Sequence, residues 1–254
     1  MPHNPFRHLA FSIVASALVS SGAFAADTLQ CLVFKPLPVA GDGRLDGTVV
    51  NACARAVTAY KFELKIHYSD GTSTVDRGGG LDLLPGVAAA AGSGIGALLP
   101  GEERTTHLGT LQPAEMQKPI VGTELAAQCV VFDDATAEGD EQELAVVFRD
   151  RQDELREWTF WKQSLSKYRD RIASQGPLVS LIDLSNVKTR QRTMSPQHSP
   201  LLVEMHANGV RGMLEWADQA VESGKMSRAE AVEWLDGYLA ALQTNYAKHS
   251  ERRR

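Results

Sequence analysis

The stretch VVFDDATAEGDEQEL, residues 130–144, is where the hydrophobic period of the chain changes. Before it, apolar and polar residues alternate, which is typical of strands with one buried face. After it, apolar residues recur every three or four positions, which is typical of an amphipathic helix. Asp140 is placed to cap that helix, and Glu143 is placed to reach back to the Asp140 N–H. The sequence therefore predicts a β half followed by an α half.

The composition is that of a globular protein of one large or two small domains. The chain has 254 residues, of which 43% are hydrophobic and 22% are charged, and its formal net charge is -5. A nucleic-acid-binding domain normally carries a basic stripe, so this charge argues against that class of protein. The basic C-terminal residues, 248–254, are too few to change this expectation.

The N-terminus has the features of a secretory signal peptide. Arg7 and His8 precede an apolar run over residues 9–19, and Ala23 and Ala25 form a small-x-small cleavage site. We therefore expect residues 1–25 to be removed, and the mature protein to be soluble and exported, to the periplasm or outside the cell. No later stretch is apolar enough to predict a membrane-spanning segment.

Three cysteines, Cys31, Cys53 and Cys129, are present in a protein expected in an oxidising compartment. At most one intrachain bridge can form among three cysteines, which leaves one thiol over. The alternative is that all three are small buried residues without a bridge. The sequence does not decide between these alternatives, and it does not indicate which two would pair.

The β half is predicted over residues 26–133 as a small antiparallel sandwich of short strands. Its strands are expected at residues 29–34, 45–51, 59–68, 72–76, 104–111 and 124–132. The clearest is 59–68, whose alternation puts apolar side chains on one face and polar ones on the other. The glycine-rich residues 78–101 match no phosphate-binding motif, because Ala97 stands where the dinucleotide fingerprint requires glycine. We interpret them as a flexible insertion.

Three motifs of this half resemble those of bacterial immunoglobulin-like modules of the FxLYD type. They are a Gly-x-Val-x-Asn strand (residues 47–51), an alternating strand that ends near an Asp-Gly turn (residues 70–71), and a Pro-Gly-Glu turn (residues 100–102) before another strand. The resemblance covers residues 28–132, and of the eponymous motif only Asp70 is kept. It implies an immunoglobulin-like fold and an extracytoplasmic setting. Such modules share no catalytic residues, so the resemblance implies none here.

The α half is predicted over residues 140–254 as three long helices and one short one. The first long helix runs to about residue 174, where Gly176 and Pro177 end it. A short helix is expected at 178–184 and a loop at 189–200. The second long helix follows Ser199 and Pro200 and ends at Gly224. The third begins at the capping box of Ser227 and Glu230.

No catalytic, cofactor-binding or metal-ligating residues are predicted from the sequence motifs. The histidines lack a His or Cys partner at ligand spacing, so we interpret His67, His107, His198 and His206 as surface residues. The four tryptophans all lie in the α half, and tryptophan is over-represented at interface hot spots. The candidate partner-binding residues are Trp158, Trp161, Trp216 and Trp234.

These observations predict an exported, non-enzymatic binding or scaffolding protein of the bacterial cell envelope, with a protein as its partner. The alternative is an enzyme or small-molecule carrier with a site in a cleft between the two halves, because domain junctions commonly form clefts. The shape of the junction discriminates between the two. A deep cleft with convergent polar groups favours the alternative, and a packed junction favours binding or scaffolding.

Overall fold

The structure, a computed structural model, describes residues 29–36, 42–84, 96–174, 177–178 and 200–253. Two antiparallel sheets come first in the chain and three long helices follow. A 3-10 turn, Leu29–Cys31, precedes the first strand. The strands are β1 Leu32–Pro36, β2 Arg44–Asn51, β3 Val57–Tyr68, β4 Ser73–Asp82, β5 Glu103–Thr110, β6 Ile120–Phe132 and β7 Ala137–Gly139. The helices are α1 Glu141–Ser174, α2 Pro200–Glu222 and α3 Arg228–His249.

The two sheets enclose one apolar core. The smaller sheet has the order β1-β2-β5, and the larger has the order β4-β3-β6-β7 and curls into a half-barrel. The alternation of β3 is confirmed, because its apolar face is buried against Val49 and Leu108 of the smaller sheet. That face consists of Tyr60, Phe62, Leu64, Ile66 and Tyr68, each at most 5% exposed.

The bounds of β1 and β6 differ from the predicted 29–34 and 124–132, and two larger features of the β half also differ from the prediction. Strand β4 continues to Asp82, so the first part of the expected glycine-rich insertion is a strand. A side chain at Gly79 would collide with the Phe62 ring, so glycine lets β4 pair closely with β3 here. The expected acidic turn contains β7, which pairs with β6 at residues 129–131. The centre of the predicted insertion, residues 85–95, lies outside the described residues.

Cys31 and Cys53 form the disulfide, with 4.7 Å between their Cα atoms, and Cys129 is buried as a free thiol. Cys31 directly precedes β1 and Cys53 follows β2 closely. Antiparallel pairing of Leu32 with Asn51 brings the two cysteines together. A disulfide is compatible with export.

The helix ends that lie among the described residues follow the predicted signals with one exception, whereas the predicted stop at Gly176 and the predicted cap at Ser199 lie outside them. Asp140 Oδ1 accepts from the N–H groups of Gln142 (2.8 Å) and Glu143 (3.1 Å), which confirms the cap. The predicted hydrogen bond from the Asp140 N–H to the Glu143 side chain is wrong, because this N–H donates to the Gln128 carbonyl of β6 instead. Both halves of the capping box at α3 are present, and Gly224 takes a φ of +69° after α2.

The helices share a second apolar core formed by residues from all three. Three long helices agree with the prediction. The short helix at 178–184 and the loop at 189–200 lie outside the described residues apart from Leu178 and Pro200, as does the predicted signal peptide. Among the described residues, no helix is both long enough and apolar enough to cross a membrane.

Candidate functional site: an aromatic surface on the helices

The four candidate tryptophans divide into two in the core and two at the helix surface. Trp158 is fully buried and Trp161 is 5% exposed, and both pack among the three helices. In this structure their rings therefore stabilise the helical core. Of the four candidate residues for contact with a partner, Trp216 and Trp234 therefore remain.

His206 was expected at the surface, and this was wrong because it is buried against Trp158. The two rings meet at 4.6 Å between centroids in an edge-on arrangement. Both donate towards one carboxylate, since Trp158 Nε1 lies 3.1 Å and His206 Nε2 lies 2.8 Å from Glu154 Oε2. A buried imidazole needs such a partner, and Glu154 supplies it from the helical turn before Trp158. Sequence spacing gives no sign of this contact, which spans 52 positions.

Trp216 and Trp234 form a continuous aromatic surface with Tyr238. Trp216 is 49% exposed and its ring lies 4.7 Å from that of Trp234, centroid to centroid. Trp234 in turn stacks on Tyr238 at 5.7 Å with an interplanar angle of 20°. We call Trp216, Trp234 and Tyr238 the aromatic surface. It presents large, rigid side chains at low conformational-entropy cost.

The positions of the two tryptophans explain why they meet. Trp216 lies six residues before the end of α2, and Trp234 lies six residues after the start of α3. A short turn joins the two helices, so equal distances from the turn place the rings side by side. Met205, at 57% exposure, and Gly212 lie on the same side of α2 as Trp216 by helical spacing. The aromatic surface is therefore continued along α2 by an apolar and a small residue.

The aromatic surface has acidic neighbours. Glu215 and Glu233 directly precede the two tryptophans and are exposed. Within the part of the chain that the structure describes, neither makes an ion pair. The Tyr238 hydroxyl is buried without a hydrogen-bond partner among the described residues, and burial raises the pKa of this tyrosine. The surface thus combines the half-exposed Trp216 ring with the exposed carboxylates of Glu215 and Glu233, and both features attract cationic side chains.

The junction between the sheets and the helices is packed. Leu144, Val147 and Phe148 of α1 lie against Cys129 and Val131 of β6, and all five are buried. A shallow hollow of about 510 Å³ lies at the rim of this junction and is lined partly by arginines. Its lining is Thr136, Ala137, Glu138, Arg252 and Arg253. The described part of this junction is therefore packed by apolar side chains.

One buried cation lies within the packed junction. The Arg151 side chain on α1 is fully buried, and its guanidinium binds the Asp82 carboxylate through Nε (2.7 Å) and Nη2 (3.1 Å). Nη2 also donates to the Thr58 hydroxyl at 3.1 Å, and Nη1 donates to the His249 carbonyl at 3.4 Å. A single side chain thus connects β3, β4, α1 and the end of α3. These donors are all engaged within the chain, which makes Arg151 a structural residue.

A polar cluster on the smaller sheet is the arrangement closest to catalytic chemistry. Thr110 Oγ1 lies 3.2 Å from His107 Nε2, and His107 Nδ1 lies 3.1 Å from Asp46 Oδ1. A bulge at Leu108 turns Thr110 to the same face as His107. The pairing of β2 with β5 brings His107 to Asp46 across 61 positions, and residue spacing in the sequence gives no sign of it.

The environment of this cluster does not suit acyl transfer. The hollow that contains it measures about 430 Å³, and the His107 side chain is 52% exposed. Arg44 Nε also binds the Asp46 carboxylate, at 2.8 Å, and so competes with the imidazole. The hydrogen bond from His107 is the largest of the causes that lower the pKa of Asp46. Acyl transfer needs donors preorganised in a water-excluded site, whereas these groups are solvated.

Among the described residues, no group of three or more histidine, cysteine, aspartate and glutamate side chains is arranged to hold a metal ion. Comparison of the chain with family models, with curated proteins and with solved structures finds no match in any of the three.

Proposed function

We propose that this chain is an exported, non-enzymatic binding or scaffolding protein of the bacterial cell envelope that contacts a protein partner through the aromatic surface. The observation that carries the proposal is Trp216, which is 49% exposed while its ring packs on Trp234. An aromatic side chain held rigidly at a surface is the kind of anchor that dominates binding energy at interfaces. The packed junction adds support, because it keeps the helices in a fixed position on the sheets.

The chemistry of the aromatic surface narrows the partner. The half-exposed indole ring of Trp216 and the exposed carboxylates of Glu215 and Glu233 favour a segment that carries arginine or lysine. A guanidinium over an indole face contributes about 0.5–2 kcal/mol, and the adjacent carboxylates add Coulombic attraction. We therefore propose a basic protein segment as the partner.

We further propose that residues 26–133 form an immunoglobulin-like module of the FxLYD type and residues 140–254 a helical domain. The division of the strands supports the module, since strands 1, 2 and 5 form one sheet and strands 3, 4, 6 and 7 form the other. The bridge between Cys31 and Cys53 supports an oxidising location. Intact-mass measurement of protein recovered after export tests the signal peptide. A mature chain that begins at Ala26 is expected, and one that keeps Phe24 contradicts this cleavage site.

A capture experiment tests the role of the aromatic surface. The purified protein, Trp216→Ala and Leu99→Ala are each immobilised and exposed to the native envelope fraction, and the retained proteins are quantified by mass spectrometry. Leu99 is the matched control, because it is 57% exposed but lies in the β half. We expect Trp216→Ala to lose the partner by about 30-fold, which corresponds to about 2 kcal/mol, and Leu99→Ala to retain it. Equal retention by both variants contradicts the proposal.

Iodide quenching of tryptophan fluorescence provides the second test. Trp216 should account for the main quenched component, because Trp158 and Trp161 are shielded. Trp216→Phe should therefore remove that component. Quenching that persists unchanged in Trp216→Phe would show that another tryptophan is the exposed one.

A further inference from the structure

The residues at and after the end of α3 are docked on the start of α1 and on the β half. The N–H of Arg253 donates to the Ala135 carbonyl at 3.0 Å, in the turn between β6 and β7. The Arg252 guanidinium binds both oxygens of the Glu141 carboxylate, at 2.7 and 2.8 Å. We call residues 249–253 the docked segment. It carries the end of α3 onto the last turn of the larger sheet.

The first two residues of the docked segment are held against α1. Arg151 Nη1 donates to the His249 carbonyl and Gln152 Nε2 donates to the Ser250 carbonyl, each at 3.4 Å. Both distances are long for an N–H···O bond, so each bond contributes little. His249 and Ser250 are nevertheless only 4% exposed. This end of the segment is therefore held by packing more than by hydrogen bonds.

The His249 ring is buried without a partner for one of its nitrogens. Nδ1 is shielded from solvent and has no hydrogen-bond partner among the described residues. A neutral imidazole carries a hydrogen on only one nitrogen, whereas the imidazolium form carries N–H groups on both. The charged ring therefore has a buried donor without an acceptor, which costs free energy. Docking of the segment thus selects the neutral ring.

The charges around the ring also disfavour a positive charge there. Four charged side chains act on it from the elements packed around it: Arg151 of α1, Asp82 of β4, Asp133 of the turn after β6, and Lys248 of α3. The two carboxylates favour the charged ring, but Asp82 is already bonded to Arg151 and Asp133 is exposed. Burial is the largest cause that lowers the pKa of His249 from its usual 6.5, and the charge of Arg151 is the next.

We propose that His249 is a pH-sensitive switch, whose protonation in mildly acidic solution releases the docked segment from the β half while the apolar cores stay intact. Release breaks few other contacts, because Arg151 keeps its bonds to Asp82 and to the Thr58 hydroxyl. The switch lies at the opposite end of α3 from Trp234, so this inference does not depend on the aromatic surface.

Proton uptake determines the direction of the switch. The pKa of the docked ring is lowered, so below pH 6.5 the released ring binds a proton that the docked ring does not. Docking is therefore fully favoured above pH 6.5 and weakens as the pH falls below this value. At pH 5.5 about nine-tenths of the released rings are protonated, so the release equilibrium shifts by up to about ten-fold relative to neutral pH.

Hydrogen exchange at pH 7.5 and pH 5.5 tests the switch in the purified protein. Mass spectrometry reads the exchange of the docked segment, and each rate is divided by the intrinsic rate at that pH. Protection of the segment, which includes the Arg253 N–H, should fall by about five- to ten-fold at pH 5.5. Protection of β3 and of the middle of α1 should be equal at the two pH values.

Two variants assign the effect to one ring. His249→Phe keeps an aromatic ring without titratable nitrogens, and its segment should be equally protected at both pH values. His67→Gln is the matched control, because His67 lies on β3 and contacts Glu124 at the surface. This control should keep the full pH dependence. A pH dependence that persists in His249→Phe overturns the proposal, because another group is then responsible.

Two measurements on the unsubstituted protein provide the remaining tests. The imidazole signals of His249 in a nuclear magnetic resonance titration, assigned by their loss in His249→Phe, should show a midpoint below pH 6.5. A midpoint at or above pH 6.5 overturns the proposal, because the docked ring then accepts a proton without penalty. Far-UV circular dichroism should be unchanged from pH 7.5 to pH 5.5. Loss of this signal also overturns the proposal, since acid then unfolds the helices instead of releasing the segment.

Discussion

Replacement of Arg151 by methionine should destabilise the whole protein, because this residue is a buried polar connection between the two halves. The guanidinium is fully buried and makes two bonds to Asp82, one to the Thr58 hydroxyl and one to the His249 carbonyl. Methionine keeps much of the side-chain volume, so the substitution removes the charge and its hydrogen bonds and leaves only a small cavity.

The expected loss is about 3 kcal/mol in the free energy of unfolding. Removal of one partner of a buried ion pair costs about 3–5 kcal/mol, because the other charge stays behind without compensation. Here the remaining carboxylate of Asp82 is 33% exposed and can be hydrated in part, which places the cost at the lower end. The Thr58 hydroxyl, which is buried, also loses the donor from Arg151, and this contributes to the same total.

The matched control is Arg149→Met, which removes an arginine from the same helix two positions earlier. Arg149 pairs with Asp150 at 3.0 Å, but both side chains are more than half exposed. A solvated pair of this kind contributes about 0–1 kcal/mol, so its removal should cost far less than that of Arg151. Asp82→Asn should cost less in the Arg151→Met background than in the parent protein, since the two residues act as a pair.

Urea unfolding followed by far-UV circular dichroism and by tryptophan fluorescence measures these effects. The first signal reports both halves, and the second reports the α half, which contains all four tryptophans. The transition of Arg151→Met should lie at lower urea than that of Arg149→Met by both signals. If the two variants unfold at the same urea concentration, the reasoning about the buried cation is wrong.

Four further outcomes are expected. Replacement of both Cys31 and Cys53 by alanine should cost about 3 kcal/mol in unfolding free energy, because the bridge closes a loop of sequence separation 22. Cys129 should resist alkylation by iodoacetamide at pH 8 until urea unfolds the protein, as read by mass spectrometry, because burial raises the pKa of its thiol to about 12. Asp140→Ala should lower stability by about 1 kcal/mol through loss of the α1 cap, and an unchanged urea midpoint would contradict this. Hydrogen bonds from Thr72 lower the pKa of Asp70 to about 2 from 3.8, so its contribution to stability should be present above pH 4 and be lost as the pH falls towards 2. Asp70→Asn should remove that part of the acid dependence in urea titrations.

The aromatic surface and the polar cluster on the smaller sheet show the limit of prediction from spacing. Four tryptophans in one half were visible in the sequence, but their helical positions did not reveal which side of each helix meets another helix. Trp158 and Trp216 both lie in predicted helices of the α half, yet one is fully buried and the other is half exposed. The difference arises because three helices bury only the faces turned towards their common axis. His107 and Asp46 lie 61 positions apart and meet only through the pairing of β2 with β5.

The sequence by itself determined the features that depend on neighbouring residues. The two periods on either side of residue 140, the buried face of β3, the cap at Asp140 and the capping box at Ser227 all follow from local geometry. Only the tertiary structure decided which distant groups meet. The disulfide between Cys31 and Cys53 and the hydrogen bond from the Asp140 N–H to β6 both depend on the packing of distant elements. The tertiary structure also buried Arg151, which stands in a charged run typical of a solvated helix face. Local patterns report which face of an element is apolar, whereas the partner of a buried charge is set by how the elements pack.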